Sequence, residues 1–431
     1  MNTRIACLLL FVIAHASATA APKFPVRLNA AIEIIINGLA RGTGTVGSLT
    51  WSPDGKTLAS NGIESKFNDR GKEESVYQLL LWDAVNWGRK PKGRILVNNA
   101  DPVSELDFFD PNDSNRLALR FVDRVQTRFM YGILNLKRPK DKPKIIAQEL
   151  KVRINPRSVS GVRVYGVSTS NWSRDGKKVA FNSSDVGGLG ISIFNEFSGT
   201  ALHTLNARNA RDVLIPARKD FGLVADWSPD GKYLVTNTGK GVVIFDEKLE
   251  EELFRFDLIP LEQNRRGNGI NSVGWNPNGK EIAFNDARNN LHFLDLKDLA
   301  ENEDEVGAPS RYKLRKADES FFMKDGEGNQ AGPSGMLKWD PQGRRIAVTF
   351  QKREKIVFGA NLNAKVWIPA IHIYSRGGTL LHEFVIKNVF IHPKNRNDTN
   401  FRVFSLAWSP DGLKIAAGLS DGTIRVFKTP K

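Results

Sequence analysis

Cysteine is almost absent: the 431-residue chain has one, Cys7. It lies in an apolar stretch at the N-terminus, so the remainder contains neither thiol nor disulfide. That excludes a disulfide-stapled scaffold, thiolate zinc sites, iron–sulfur clusters, covalently attached haem and cysteine nucleophiles. Histidine is scarce as well, with six. His203, His292, His372, His382 and His392 form no H-x-H or H-E-x-x-H arrangement, and structural roles are expected for them. There is no G-x-S-x-G elbow, no phosphate-cradling glycine loop opening a helix and no Asp-rich calcium loop. The sequence therefore offers no catalytic residue, no metal ligand set and no cofactor. Nor is any apolar run long enough to cross a bilayer, which takes roughly 20 residues.

The longest apolar run, Ile5 to Ile13, follows Arg4 and precedes two small-x-small patterns, Ala16-Ser17-Ala18 and Ala18-Thr19-Ala20. A positive start, a short apolar core and a small-x-small site make a secretory signal. Residues 1–20 are expected to be removed, leaving 21–431 as one soluble domain in a periplasmic or extracellular space.

The formal net charge is +15. Acidic partners fit that balance, among them an acidic surface polymer. The charge is uneven, however. Glu250-Glu251-Glu252 and Glu301-Asn302-Glu303-Asp304-Glu305 interrupt it, and no specific recognition of nucleic acid is expected from such a pattern.

What the chain has in abundance is one repeated turn. An aromatic residue, a polar residue, usually Pro, then polar residues and Gly lead into an apolar strand. The copies begin at Trp51, Phe109, Trp172, Trp227, Trp275, Trp339 and Trp408, so six of the nine tryptophans share one position. Pro presets φ at the first central residue of a tight turn, Asp or Asn suits the second, and Gly accepts the left-handed conformation. Alternating apolar stretches flank each turn, as in Val403 to Trp408 and Lys414 to Gly418, which is a strand pattern. Successive copies lie 48 (Trp227 to Trp275) to 69 (Trp339 to Trp408) residues apart, against about 40–45 for a minimal four-stranded blade. Seven such units, with strands A to D each, predict an all-β, seven-bladed β-propeller of four-stranded antiparallel blades.

At this point the chain resembles the WD-repeat family. Trp82-Asp83 after Leu79-Leu80-Leu81 has the form of that family's dipeptide, and Asp421-Gly422-Thr423-Ile424-Arg425-Val426-Phe427 is similar to its third-strand entry. Phe245-Asp246, Leu294-Asp295 and Phe194-Asn195 are looser versions. One departure is plain: no Gly-His dipeptide precedes any unit. The Ser-Pro-Asp-Gly-Lys turns are also similar to TolB-type periplasmic propeller repeats. The resemblance implies a binding scaffold rather than an enzyme.

The last unit ends after its third strand, at Phe427. Its fourth strand is expected from the N-terminus, where Phe24 to Ile32 alternates suitably, and an open edge would thereby be removed. In a meander the A–B and C–D connections share one face, and the B–C and D–A connections the other. The A–B turns read as tight in all units. The long connections are Asn61–Val76 and Gln351–Val366 (B–C), and Pro260–Gly269, Ala317–Gly335 and Lys387–Asn400 (D–A). Loops of variable length on a rigid scaffold are where binding usually resides. The candidate binding residues on that face are Arg265, Arg266, Phe321, Phe322, Arg353 and Trp367, types enriched at interface hot spots. The other face carries a basic C–D loop with Lys137, Arg138, Lys140, Lys142 and Lys144. The expected function is an exported scaffold, a monomeric propeller within a complex, that binds a protein or polymer through its B–C/D–A face. The alternative is a hydrolase or lyase acting on an acidic carbohydrate at the central channel.

Overall fold

The computed structural model describes residues 34–37, 46–67, 73–87, 91–95, 103–108, 110–123, 128–148, 171–173, 178–183, 199–204, 213–214, 221–238, 241–247, 251–257, 270–286, 290–296, 314–316, 336–358, 362–386, 402–420 and 422–429. The expected signal, residues 1–20, lies outside them, as do Phe24 to Ile32.

Among the described residues every regular element is a strand, and the strands form seven four-stranded antiparallel sheets. Sheet 1 holds β2 (Leu49–Trp51), β3 (Thr57–Phe67), β4 (Glu73–Asp83) and β5 (Gly93–Ile95). Sheet 2 holds β6 (Val103–Asp107), β7 (Arg116–Asp123), β8 (Arg128–Asn135) and β9 (Lys144–Gln148). Sheet 3 holds β10 (Asn171–Trp172), β11 (Lys178–Ser183), β12 (Gly199–Thr204) and β13 (Val213–Leu214). Sheet 4 holds β14 (Phe221–Trp227), β15 (Tyr233–Thr238), β16 (Gly241–Asp246) and β17 (Glu252–Asp257). Sheet 5 holds β18 (Ile270–Trp275), β19 (Glu281–Asp286), β20 (Leu291–Asp295) and β21 (Leu314–Lys316). Sheet 6 holds β22 (Leu337–Trp339), β23 (Arg345–Phe358), β24 (Leu362–Ser375) and β25 (Leu380–Val385). Sheet 7 holds β26 (Val403–Trp408), β27 (Lys414–Leu419) and β28 (Thr423–Lys428), with β1 (Ile34–Asn37) beside β28. Repeated antiparallel meanders of this kind, with no helix among the described residues, are consistent with a β-propeller.

The repeated turn closes as its residue types require. In sheet 1 the Gly55 amide donates to the Ser52 carbonyl, and Gly55 has φ 69°, a conformation glycine adopts without strain. The Ser52 hydroxyl accepts from the Thr57 amide at 2.9 Å and donates to Asp54 Oδ1 at 2.6 Å. Asp54 Oδ1 also accepts from the Lys56 amide. Ser228-Pro229-Asp230-Gly231 and Ser409-Pro410-Asp411-Gly412 repeat these bonds. Burial raises the Asp54 and Asp411 carboxyls, but the serine hydroxyls and turn amides outweigh it, and both end below the ordinary aspartate value.

The repeated tryptophan is a bolt between sheets. Trp51 Nε1 donates to the Ala407 carbonyl of sheet 7, Trp408 Nε1 to Lys338 of sheet 6, and Trp339 Nε1 to Gly274 of sheet 5. Each acceptor immediately precedes the neighbour's own tryptophan. Between sheets 4 and 5 the bond takes another form, with the Trp275 amide donating to Asp226 Oδ2 at 2.7 Å. Apolar layers fill the space between neighbouring sheets. One joins Leu49, Leu58, Leu80 and Trp82 of sheet 1 to Ala416, Ile424 and Val426 of sheet 7. Another joins Ala347, Ile371 and Ile373 of sheet 6 to Leu406, Trp408 and Ile415 of sheet 7.

Where asparagine or aspartate replaces serine in the turns of sheets 5 and 6, the turn is linked to the next sheet, directly by Asn276 and through Arg345 by Asp340. Asn276 Nδ2 donates to the Gly343 carbonyl of sheet 6 and to buried Glu281, which also accepts from Arg376 of sheet 6. Asp340 accepts from the Arg345 guanidinium at 2.9 Å, and Arg345 continues to the Gly412 carbonyl of sheet 7.

Several expectations need correction. Asn61–Val76 and Gln351–Val366 are not irregular loops: β3 with β4, and β23 with β24, run through most of both stretches. Most of their length is ladder, and Gly62 stands within it opposite Gln78 without ending it. The turn of sheet 2 is not tight. It is built from two successive turns, with the Asp113 amide bonding to the Asp110 carbonyl and the Arg116 amide to Asp113. Phe109 lies outside the described residues, and Phe108 occupies the buried layer with Leu79 and Leu117. Finally, the strand that pairs with β28 is Ile34–Asn37, with Ile34 opposite Val426 and Asn37 opposite Thr423.

Candidate functional site

Two ribbons stand out from the otherwise compact sheets. β23 and β24 stay in register from Arg345↔Ser375 to Phe358↔Leu362. Their neighbours stop early: β22 pairs with Ile346 to Val348 only, and β25 reaches no further than Ala370. The pairs from Lys352↔Ile368 onward therefore extend beyond both neighbouring strands, roughly 23 Å at about 3.3 Å per residue. In sheet 1, β2 reaches Ser60 and β5 reaches Leu79. The pairs from Gly62↔Gln78 to Phe67↔Glu73 extend roughly 20 Å beyond them. Both ribbons belong to the B–C edge, and they flank sheet 7, whose own B–C turn is the short Leu419–Gly422 bend.

Register assigns residues to the two faces of each ribbon, since alternate positions share a face. Arg353 and Trp367 are Cα partners, and Lys355 with Lys365 is the next pair on the same face. This face continues that of Ala347 and Ile371, which packs against sheet 7. Ile356↔Ala364 and Phe358↔Leu362 fall on the other face. On the sheet 1 ribbon, the face continuing Leu58 and Leu80, which also pack against sheet 7, carries Glu64↔Val76 and Lys66↔Glu74. By register, then, the two ribbons differ in residue type at these positions: Arg353, Lys355, Lys365 and Trp367 on one, Glu64, Lys66, Glu74 and Val76 on the other. Of the expected binding residues, the structure brings Arg353 and Trp367 together. Arg265, Arg266, Phe321 and Phe322 lie outside the described residues.

The basic loop lies on the opposite edge. The Leu136 amide donates to the Asn115 carbonyl, the Arg138 amide to Asn135, and the Asp141 amide to Arg138. These bonds make it an ordered double turn. Lys137, Arg138, Lys140, Lys142 and Lys144 are all exposed, while Pro143 is buried beneath them.

The histidines are built into strands. Buried His292 places Nε2 3.2 Å from Asp286 Oδ2, which also accepts from the Asn290 side-chain amide, and its ring stacks on Phe284. Burial raises the Asp286 carboxyl, but His292 and Asn290 more than offset it, leaving it below the usual value. His372 lies between Glu383 at 3.1 Å and the Tyr374 hydroxyl at 3.3 Å. Burial, then Glu383, pushes the Tyr374 phenol upward. Burial lowers His382, partly countered by Glu383. His392 lies outside the described residues. Among the described residues, no group of three His, Cys, Asp or Glu side chains could hold a metal ion.

A cavity of about 500 Å³ is lined by the A strands of sheets 1, 2, 6 and 7 and by turn prolines Pro53, Pro111, Pro277, Pro341 and Pro410. The sequence carried a signal for this convergence in the prolines of the repeated turn. It carried none for the inter-sheet reach of Asn276 and Arg345.

With this geometry in place, comparison with known families adds one finding. Residues 392–428 match the WD domain, G-beta repeat family, so the chain carries a WD repeat there. The described part of that match spans sheet 7's three strands β26 to β28. No curated protein matches the chain. WD repeats typically mediate protein interactions, and no helix among the described residues is long and apolar enough to cross a membrane.

Proposed function

We propose that the seven sheets are the blades of one ring, closed where β1 completes sheet 7, and that this ring is an exported scaffold for a protein partner. The ribbons of sheets 6 and 1 are the observation that carries the binding face. They extend beyond the sheets on the B–C/D–A side, and one places Arg353 opposite Trp367. Arginine and tryptophan anchor many interfaces, and the free edges of a projecting ribbon can accept a further strand. The partner's contacting segment is acidic where it meets Arg353, Lys355 and Lys365. Neighbour contacts support the ring, with bonds or apolar layers joining sheets 4, 5, 6, 7, 1 and 2 in succession. The N-terminal pattern supports export to a periplasmic or extracellular space, with residues 1–20 removed and a monomeric ring remaining.

The test is cross-linking of the complex purified from its native compartment, followed by peptide mapping. Cross-links concentrated on 62–77 and 352–368, with capture weakened in Arg353→Ala/Trp367→Ala at unchanged thermal stability, are the expected result. Cross-links confined to the A–B turns, with full capture by the double variant, would move the site elsewhere.

A further inference from the structure

The opposite edge has a property of its own. Among the described residues, the exposed large apolar side chains are Val85, Ile145, Leu381 and Leu413. All four lie at A–B or C–D turns or within two residues of one. Leu413 follows Gly412 in the repeated turn, where other copies carry Lys56, Lys232, Lys280 or Arg344. Val85 is the tip of the turn after Trp82-Asp83 and is 63% exposed. Ile145 and Leu381 are the second residues of β9 and β25.

The turns of sheets 7, 1 and 2 are joined directly. Gly55 packs against Pro410, with 3.9 Å between its Cβ position and the proline ring. The Asp54 amide donates to Ser114 Oγ, and the Leu136 amide to the Asn115 carbonyl. The Gly55–Pro410 approach and the Asp54–Ser114 bond thus place the sheet 7 turn that bears Leu413, the sheet 1 turn and the sheet 2 double turn bearing Arg138, Lys140 and Lys142 along one edge. Those cations are exposed and make no ion pair among the described residues. Most carboxylates along this edge are occupied within their own turns. Asp54 and Asp411 accept from serine and backbone, Asp83 from the Val85 and Asn86 amides, and Asp113 from Asn115, while Asp110 is paired with Arg116. These carboxylates keep their charge, and exposed Asp141 stands between Lys140 and Lys142, but Lys137, Arg138, Lys140, Lys142 and Lys144 outnumber it on the double turn, so that turn presents net positive charge with Ile145 exposed beside it.

We propose that this edge, across sheets 7, 1 and 2, docks on an anionic phospholipid bilayer. Basic side chains near a negatively charged membrane surface each add roughly fivefold in affinity, and apolar tips gain by entering the headgroup boundary. A dissolved polyanion would satisfy the cations but offer nothing to Val85 and Leu413. The inference does not depend on the ribbon face, which lies at the other edge and stays free.

The experiment uses the full-length mature chain with vesicles of phosphatidylglycerol in phosphatidylcholine, phosphatidylcholine vesicles, and soluble polyphosphate. Flotation with the anionic vesicles only, weakened by salt, is expected. Arg138→Gln/Lys140→Gln/Lys142→Gln should lower it roughly hundredfold, and Val85→Ser/Leu413→Ser roughly tenfold. The serine pair should leave polyphosphate binding unchanged. These side chains are exposed, so thermal melting should hold, and Val85→Thr with Leu413→Gln serves as a milder pair. No flotation overturns the proposal. So does flotation indifferent to both apolar pairs, which would make the edge a polyanion or acidic-protein site.

Discussion

Replacing Trp339 tests how the sheets are held to one another. Its indole is buried, meets Phe293 of sheet 5 edge-on at 5.8 Å and donates to the Gly274 carbonyl at 3.1 Å. The strands approach closely here because Gly274 has no side chain; a Cβ would lie 2.7 Å from Leu337 Cδ1. Trp339→Phe keeps most of the apolar surface but removes the indole bond to a carbonyl that retains its ladder partner Ala283, a loss, with the smaller ring, of about 1–2 kcal/mol. Trp339→Ala also opens a cavity, for about 3–5 kcal/mol. If about 400 residues unfold together, the entropy at the midpoint is about 0.8 kcal/mol/K, and the alanine variant melts only about 4–6 °C lower. If a unit of about 60 residues unfolds by itself, the same loss shifts that unit by tens of degrees. Calorimetry with tryptophan fluorescence in denaturant reads both. One transition with a small shift and a Phe cost near 1–2 kcal/mol is expected. A split transition, or a Phe variant as stable as the parent, would refute the indole chain as a coupling between sheets.

Arg345→Ala leaves the fully buried Asp340 carboxylate without its cation and should cost about 3–5 kcal/mol in chemical denaturation; a loss below about 1 kcal/mol would remove the bolt from the account. Ile35→Pro interrupts the β1–β28 ladder and exposes the β28 edge, so light scattering should show association at concentrations where the parent is monomeric. The carboxyls of Asp54, Asp113, Asp286 and Asp411 lie below their unfolded values. Their contribution is complete above about pH 4 and is lost as pH falls through the folded values. The melting temperature should thus hold from pH 7 to about 5 and drop below 4, with a shallower drop in Asp286→Asn.

Much of the fold was legible because turn chemistry leaves marks in sequence. Ser-Pro-Asp-Gly specifies its own bonds, and the tryptophan before it recurs because an indole can both fill the layer between sheets and donate across it. Three features were less legible. Phe108 and Phe109 are adjacent aromatics, and only the ladder, with Asp107 opposite Ala118, shows where the strand stands relative to the turn. Phe24 to Ile32 alternates, whereas Ile34-Ile35-Ile36-Asn37 does not, and a strand's register is set by its partner as well as by its own pattern. The ribbons read as loops since Gln351-Lys-Arg-Glu-Lys355 has the polarity of one. Their alternation becomes meaningful only once Arg353 is opposite Trp367. Arg353 and Trp367 were candidates by residue type alone, and nothing in the sequence marks them as Cα partners.

The proposed closure of the ring by β1 underlies both proposed binding edges. It is tested most directly by Ile36→Cys with Ile424→Cys, Cα partners across β1 and β28, in a chain carrying Cys7→Ser. Facing residues of an antiparallel pair lie about 4.5–5.5 Å apart at Cα, within reach of a disulfide. The account predicts an intramolecular disulfide, formed in the monomer under mild oxidation and raising the melting temperature. Free thiols, or disulfide-linked dimers instead, would contradict it.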